Sequence, residues 1–547
     1  MLKRKPGFYG IASTIIAILL IFPFGDLILQ LFQKPNENWT EIKEFLLRDY
    51  IGNTLILVFF TAFFALVIGT TLAWLISAYD FPLRKFFRWA LILPLAIPSY
   101  ILAYTYSAMA SYTGVVQVTL RSWLGTGLDQ RYFNIMSMPG AIFILSISLM
   151  PYIYMILRAF MEGQSASLIE SGRMLGKSHW GIFFKVVVPV SRAALVAGTS
   201  LVVLEVLSDY GVASYFGIQT FSTAIFRSWF SLGDIDSAIR LAAILMVFVL
   251  VLLFLEKILR GRRSYSMSNT KHRPLSRKEL KGPMAILATS YASIILFLGF
   301  LIPVGQLIYW AVLTYKDTLG VEAWVLGINT LWVAVISAII ILIFGIIIAN
   351  YSRLKNNFLS KIYSKISLLG YSIPGAVVAI TMILFFIHLD RWLAPLYQVI
   401  LPGAPALVLS MSLILLIGAY VLRFLAVGFQ SIDGGFERIG RKYHDASKML
   451  GHGEASTFFK IDLPMLKPAL LSGFSLVCID IIKELPLALI LRPFNFNTLA
   501  TKVFDYANDE RIPEASVHSL LIVLIVAIGI LILNKTLDKE KNNEHKS

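Results

Sequence analysis

Twelve long apolar runs follow one another along almost the whole chain, each separated from the next by a polar stretch. They lie near residues 8–32, 51–78, 89–111, 138–157, 193–214, 238–256, 284–314, 325–350, 366–388, 403–427, 468–491 and 516–534. About 20 apolar residues in a helix cross a hydrocarbon core about 30 Å thick. Each run therefore predicts one span, and the chain predicts an all-α integral membrane protein with twelve transmembrane helices. The first run is too long for a secretory signal and ends in Gln30-Leu31-Phe32-Gln33, without the small residues that a cleavage site needs. It is read as a retained helix.

Composition agrees, because only 15% of the residues are charged and 57% are apolar, whereas soluble domains carry about 25% charged residues. The net charge of +16 by itself suits a nucleic-acid binder, so the positions of the cations decide. With the amino terminus inside, the cytoplasmic segments are 1–7, 79–88, 158–192, 257–283, 351–365, 423–467 and 535–547. These hold 35 of the 48 Lys and Arg. That bias is the positive-inside rule. It puts both termini in the cytoplasm and requires an even number of spans. It also spreads the basic residues over seven loops rather than one nucleic-acid-binding surface. The single cysteine, Cys478, lies in an apolar run, which excludes an intrachain disulfide and a cysteine metal cluster. The seven histidines show no HExxH spacing, which argues against a zinc hydrolase.

The chain repeats itself with one long period. Asn53-Thr54-Leu55 matches Asn329-Thr330-Leu331, Gly69 matches Gly345, Ala73 matches Ala349 and Ile97-Pro98 matches Ile373-Pro374, all 276 residues apart. Further on, Met174-Leu175-Gly176 matches Met449-Leu450-Gly451, Phe183-Phe184-Lys185 matches Phe458-Phe459-Lys460, and Pro189, Gly198 and Thr223 match Pro464, Gly473 and Thr498, all 275 apart. A six-span unit has been duplicated. Six is even, so both copies keep one orientation, related by a parallel pseudo-twofold along the membrane normal. The expected division is a first half at 1–262, a polar cytoplasmic linker at 263–283 and a second half at 284–547, with the pathway between the halves.

The most specific pattern lies in the long cytoplasmic loop between the fourth and fifth spans of each half. Glu170-Ser171-Gly172 is followed by Gly176, then Val186, Val188 and Pro189; Asp445-Ala446-Ser447 is followed at the same steps by Gly451, then Ile461, Leu463 and Pro464. An acid followed by small residues predicts a short helix on the membrane surface that another protein's backbone can approach closely. The Gly ends that helix, and the Pro starts the next span, where its missing N–H costs little. Both loops resemble the EAA loop of ABC-importer permeases, which sits in a cleft of the ATPase subunit. Ser171-Gly172 and Ala446-Ser447 depart from the two alanines of that loop, Asp445 from its Glu, and Val186 and Val188 from its Ile and Leu. Gly172-Arg173-Met174-Leu175-Gly176-Lys177-Ser178 imitates a phosphate-binding loop. It has three residues between its glycines where four are required, and no apolar strand before it. ATP and Mg therefore belong to partner subunits, and no nucleophile–base or metal-ligand constellation marks an enzyme.

Further stretches are similar to the fused, two-domain ferric-iron permeases of the binding-protein-dependent importers. In the first half these are Leu204-Glu205-Val206-Leu207-Ser208-Asp209-Tyr210-Gly211, Tyr215-Phe216-Gly217-Ile218-Gln219-Thr220-Phe221 and Phe230-Ser231-Leu232-Gly233-Asp234. In the second they are Lys483-Glu484-Leu485-Pro486, Leu491-Arg492-Pro493-Phe494-Asn495-Phe496, Thr498-Leu499-Ala500 and Tyr506-Ala507-Asn508-Asp509-Glu510-Arg511. The similarly fused thiamine permeases share the architecture and the loops. An ion-coupled secondary transporter shares repeats and buried acids, but leaves the paired loops unexplained.

The resemblance implies two copies of a cytoplasmic ATP-binding subunit, a periplasmic or lipid-anchored substrate-binding protein, and a multi-pass place in the cytoplasmic membrane. Acids inside spans are costly and by default functional. Glu205 and Asp209, four apart, are expected on one helix face, as are their repeat mates Asp480 and Glu484, with Lys483 alongside. Two carboxylate pairs can line a path for ferric iron, a hard ion that prefers oxygen. The alternative is that they are interhelical pairs. Tyr100 and Tyr104 offer phenol oxygens on one face, or pack. No tightly bound metal is expected, because an importer must release its cargo.

Overall fold

A computed structural model describes residues 8–125, 129–162, 176, 179–260, 277–355, 357–400, 402–403 and 405–544. Among them, ten continuous helices are long and apolar enough to cross a bilayer. Two bent pairs complete the twelve: Arg84–Ala96 with Ser99–Leu124 at 88°, and Phe183–Val190 with Arg192–Ser208 at 70°. Outside the helices, the described residues include one pair of two-residue parallel strands, in which Tyr79–Asp80 pairs with Lys278–Glu279.

The duplication seen in the sequence is a duplication of contacts. Leu47–Ala78 packs along Met138–Glu162 in the first half, and Val321–Lys355 packs along Leu413–Ile439 in the second. Gly69 and Gly345 sit at these two crossings. A Cβ at Gly69 would meet Ile153 Cβ at 2.9 Å, and one at Gly345 would meet Ile432 Cδ1 at 2.9 Å. Small residues let membrane helices approach where lipid supplies no hydrophobic drive. The repeated Asn-Thr ties each second span to a short helix later in its half. Thr54 Oγ1 accepts from Phe221 N at 3.2 Å and Thr330 Oγ1 from Leu499 N at 2.9 Å, while Asn53 and Asn329 donate to the carbonyls of Gln219 and Asn497.

One repeat pairing is corrected. Thr220 and Thr498 are the residues that cap Phe221–Phe226 and Leu499–Asn508, each through a capping box, so Thr498 corresponds to Thr220 and not to Thr223. The offset has grown to 278 because the second half carries three extra residues before this cap.

The first span of each half leans on the other half. Phe8–Leu31 packs on Val321–Lys355 and Gly375–Ile400, and Thr14 and Tyr363 hydroxyls meet at 2.7 Å. Reciprocally, Tyr291 meets Thr71 of the first half at 2.7 Å, and Tyr106 donates to the Leu298 carbonyl at 2.6 Å. The outer faces carry rows of exposed Phe, Ile, Leu and Val, among them Phe59, Phe63, Val247, Phe254, Ile328, Ile339 and Leu524. In water such a surface is unfavourable; in lipid it is neutral.

Four of the predicted runs are interrupted, although the ninth and eleventh still contain the continuous spanning helices Gly375–Ile400 and Glu454–Ile482. The third and ninth bend at Ile97-Pro98 and Ile373-Pro374, where Ile97 (ψ 114) and Ile373 (ψ 125) are extended. Proline excludes the helical conformation from the residue before it. The fifth and eleventh stop at Ser208 and Ile482, short of the expected ends at 214 and 491, and continue as the separate short helices Gly211–Tyr215 and Pro486–Leu491.

Candidate functional site

The breaks in the fifth and eleventh spans are each held by an acid. Asp209 is extended (φ −68, ψ 121) just beyond its helix. Its Oδ1 accepts from the backbone N–H groups of Val212 at 3.0 Å and Ala213 at 3.2 Å, at the head of the next short helix, and its Oδ2 accepts from Ser99 Oγ at 2.9 Å. Glu484 does the same in the second half: Oε2 accepts from Leu487 N at 2.9 Å, and Oε1 accepts from Arg423 Nη1 at 2.9 Å. Backbone donors exposed at a helix break in the membrane have no water to bond, so a carboxylate there supplies the missing acceptor. This corrects the expectation that Glu205 with Asp209, and Asp480 with Glu484, stack on one helix face. In each pair the helix ends between the two members.

The four acids nevertheless converge. Glu205, Asp209, Asp480 and Glu484 line one cavity of about 110 Å³ together with Ser99, Tyr100, Tyr152, Arg423 and Lys483. Glu205 Oε1 accepts from Tyr371 OH at 2.9 Å, and Asp480 lies 3.3 Å from Lys483 Nζ. The cavity thus brings together four carboxylates and two cations. Arg423 is a second correction. Its position in the cation count put it in a cytoplasmic segment, but it lies inside Leu413–Ile439 and is buried against Glu484.

The repeat explains why the arginine fits. Ser99, which donates to Asp209, corresponds to Gly375, and Ser148 corresponds to Arg423. A side chain at 375 would occupy the space of the Arg423 guanidinium. One half therefore satisfies its acid with a serine hydroxyl, and the other has removed that side chain and filled the space with an arginine.

Of the predicted coupling residues, Glu170, Ser171 and Gly172 lie outside the described residues; Gly176 is described, at φ 69. The second loop is fully described. Lys442–Met449 is a short helix carrying Asp445, Ala446 and Ser447. His444 and Ser447, three apart, are buried, while Asp445, Ala446, Met449 and Leu450 are exposed. The buried face is pinned to the spans: His444 Nδ1 is 2.7 Å from Asp462 Oδ2, Arg353 Nη2 is 3.1 Å from Asp462 Oδ1, and the Ser447 and Thr457 hydroxyls are 2.9 Å apart. Gly451, at φ 87, closes the helix, with its N–H donating to Lys448 O at 3.0 Å and that of His452 to Ser447 O at 3.2 Å. The exposed face ends in an apolar tip, Met449-Leu450, beside the Asp445 carboxylate.

Pro464 does not start its span, as the spacing suggested; the helix already runs from Glu454. A proline inside a helix clashes with the carbonyl four residues back. Here a wide π turn at Phe458–Asp462 precedes it, in which Leu463 N donates to Phe458 O. Pro189 follows an equivalent turn at Phe183–Val187, with Val188 N donating to Phe183 O.

The family model described as the inner membrane component of binding-protein-dependent transport systems matches residues 65–264 and 341–539. The chain belongs to this family. Each match covers one repeat, so the permease carries the family unit twice in an integral inner-membrane protein. It is 24% identical to the Fe(3+)-transport system permease protein FbpB 2 of Haemophilus influenzae over 98% of this chain and 99% of that protein. It is 24% identical to the ferric transport system permease protein FbpB of Actinobacillus pleuropneumoniae over 70% of this chain and 56% of that protein. The sulfate transport system permease protein CysT of Escherichia coli is 25% identical over 47% of this chain and 94% of its own length. CysT thus aligns with about one half of the permease.

Proposed function

We propose that the permease moves ferric iron from a periplasmic or lipid-anchored binding protein into the cytoplasm, driven by two copies of an ATP-binding subunit docked on the loops at Glu170 and Asp445. The observation that carries this reading is one interior cavity, lined by four carboxylates, at which the breaks at Ile97-Pro98, Asp209 and Lys483 meet. An acid at the bilayer centre costs about 2.5–3.5 kcal/mol on insertion scales, so such residues are kept for function. Hard carboxylate oxygens suit a hard trivalent cation, and the end-to-end likeness to ferric permeases supports the same cargo.

Both termini and the two loops face the cytoplasm in this reading, and ATP and Mg are bound only by the partner subunits. ATP closure draws the two loops together. Rigid-body rocking of the halves about the breaks then opens the cavity outward to the loaded binding protein, and hydrolysis resets it. The breaks at Ile97, Asp209, Ile373 and Lys483 provide hinges that uninterrupted helices lack.

The test is uptake into proteoliposomes holding the permease with its ATPase subunits, comparing ferric ion and thiamine, each delivered on its binding protein. Ferric uptake that needs both ATP and the binding protein is the expected result. ATP-dependent thiamine uptake without ferric uptake would assign the chain to the other fused class. Uptake that follows an ion gradient without ATP would make it a secondary carrier.

A further inference from the structure

The two halves share a backbone but not a lining. Tyr100 and Tyr104 of the first half correspond to Ala376 and Ile380 of the second, and Tyr210 and Tyr215 correspond to Leu485 and Ile490. Ser148 and Ser208 correspond to Arg423 and Lys483. Both cavity cations therefore stand on the second half, where Arg423 holds Glu484 at 2.9 Å and Lys483 holds Asp480 at 3.3 Å. Glu205 and Asp209 of the first half are met by hydroxyl and backbone donors, from Tyr371, Ser99, Val212 and Ala213.

The first half's tyrosines form a column. Tyr215 lines a separate cavity of about 870 Å³, at the end of the bundle opposite Lys442–Met449, together with Ser107, Ser111, Gln306, Asn508 and Glu510. Its ring lies 4.5 Å from that of Tyr104, and Tyr104 lies 5.8 Å from Tyr100, which lines the acid cavity. Tyr100 and Tyr104 are 4% and 2% exposed, yet neither hydroxyl has a hydrogen-bond partner. Buried phenols normally find one. Two adjacent unpartnered phenols between two cavities are oxygen donors without an occupant.

We propose that the route through the permease is one-sided: a hard, oxygen-seeking cation descends the first half, past Tyr215, Tyr104 and Tyr100 to Glu205 and Asp209, while the second half faces it as a charge-balanced wall. This rests on the cation-import reading above and specifies where the cation travels. In the closed column the tilted and edge-on rings separate the outer cavity from the acids. The phenol oxygens become ligands when rocking parts the rings. Duplication made the two halves alike, and fusion in one chain let a single half specialise.

The test uses the complete transporter in proteoliposomes, with ferric uptake and binding-protein-stimulated ATP hydrolysis measured side by side. Y100F/Y104F keeps the rings and removes only the two hydroxyls. It is expected to lower the initial uptake rate about tenfold, as loss of charge-assisted contacts to the cargo does, while ATP hydrolysis and thermal stability hold. Phenols that merely pack would leave uptake unchanged and overturn the proposal. D480N/K483Q removes one balanced pair of the second half and is expected to lower uptake less than Y100F/Y104F does, since no net charge is lost. Equal losses from the two double variants would show a two-sided route and overturn the one-sided one, leaving ferric import standing. A wild-type complex that imports no ferric ion would overturn both.

Discussion

Valine at both Gly176 and Gly451 is expected to leave the permease inserted at its normal level and to lower transport about tenfold or more. The two glycines have φ of 69 and 87, a region where an L-residue costs roughly 1–2 kcal/mol and a β-branched one more. Space is not the issue, because a Cβ at either position meets nothing within 4 Å. The cost falls on the backbone turn alone. At Gly451 that turn ends Lys442–Met449 and aims Met449 and Leu450 outward. A residue that refuses the turn lengthens or frays the helix and misdirects this tip, while the spans stay as packed. The measurement is binding-protein-dependent uptake set against the amount of permease in the membrane. Normal uptake in the double variant would refute the coupling role of the loops.

Arg423→Ala is expected to be the most destabilising single change in the interior. It leaves Glu484, 6% exposed, without its cation. Removing one partner of a buried ion pair costs about 3–5 kcal/mol, because the remaining charge stays desolvated. The permease should accumulate poorly and melt at a lower temperature in detergent. R423A/E484Q removes both charges and should recover most of that loss. Equal instability in the single and double variants would mean that Arg423 acts through packing and not through Glu484.

Much of this architecture is legible in the sequence, for a physical reason. Crossing a bilayer demands long apolar runs, so the spans are written in composition. The duplication is legible because both copies keep packing residues such as Gly69 and Gly345, and tie points such as Asn53-Thr54 and Asn329-Thr330. The breaks are not legible from hydropathy, because the chain turns largely apolar again at once, from Tyr210 to Tyr215 and from Leu485 to Leu491. The signals that mark them are local: Ile-Pro in the third and ninth spans, and an acid two residues before Gly211 or Pro486.

Arg423 was missed because it falls at the edge of an apolar run, where a cation reads as belonging to the loop. Its correspondence with Ser148, and that of Gly375 with Ser99, is the sequence signal that places it inside. Pro464 misled because a proline after a polar loop usually opens a helix, and a π turn is invisible in composition. The exchange of first spans between the halves involves contacts distant in sequence, and no local pattern encodes it.

In this mechanism the loop helix around Asp445 faces the side from which ATPase subunits grip the machine. A cysteine placed at His452 in a Cys478→Ser permease tests it with a thiol reagent that cannot cross membranes. Labelling in inside-out vesicles, blocked when the ATPase subunits are bound and absent in right-side-out vesicles, is the predicted result. Labelling only from the outer side would contradict the account.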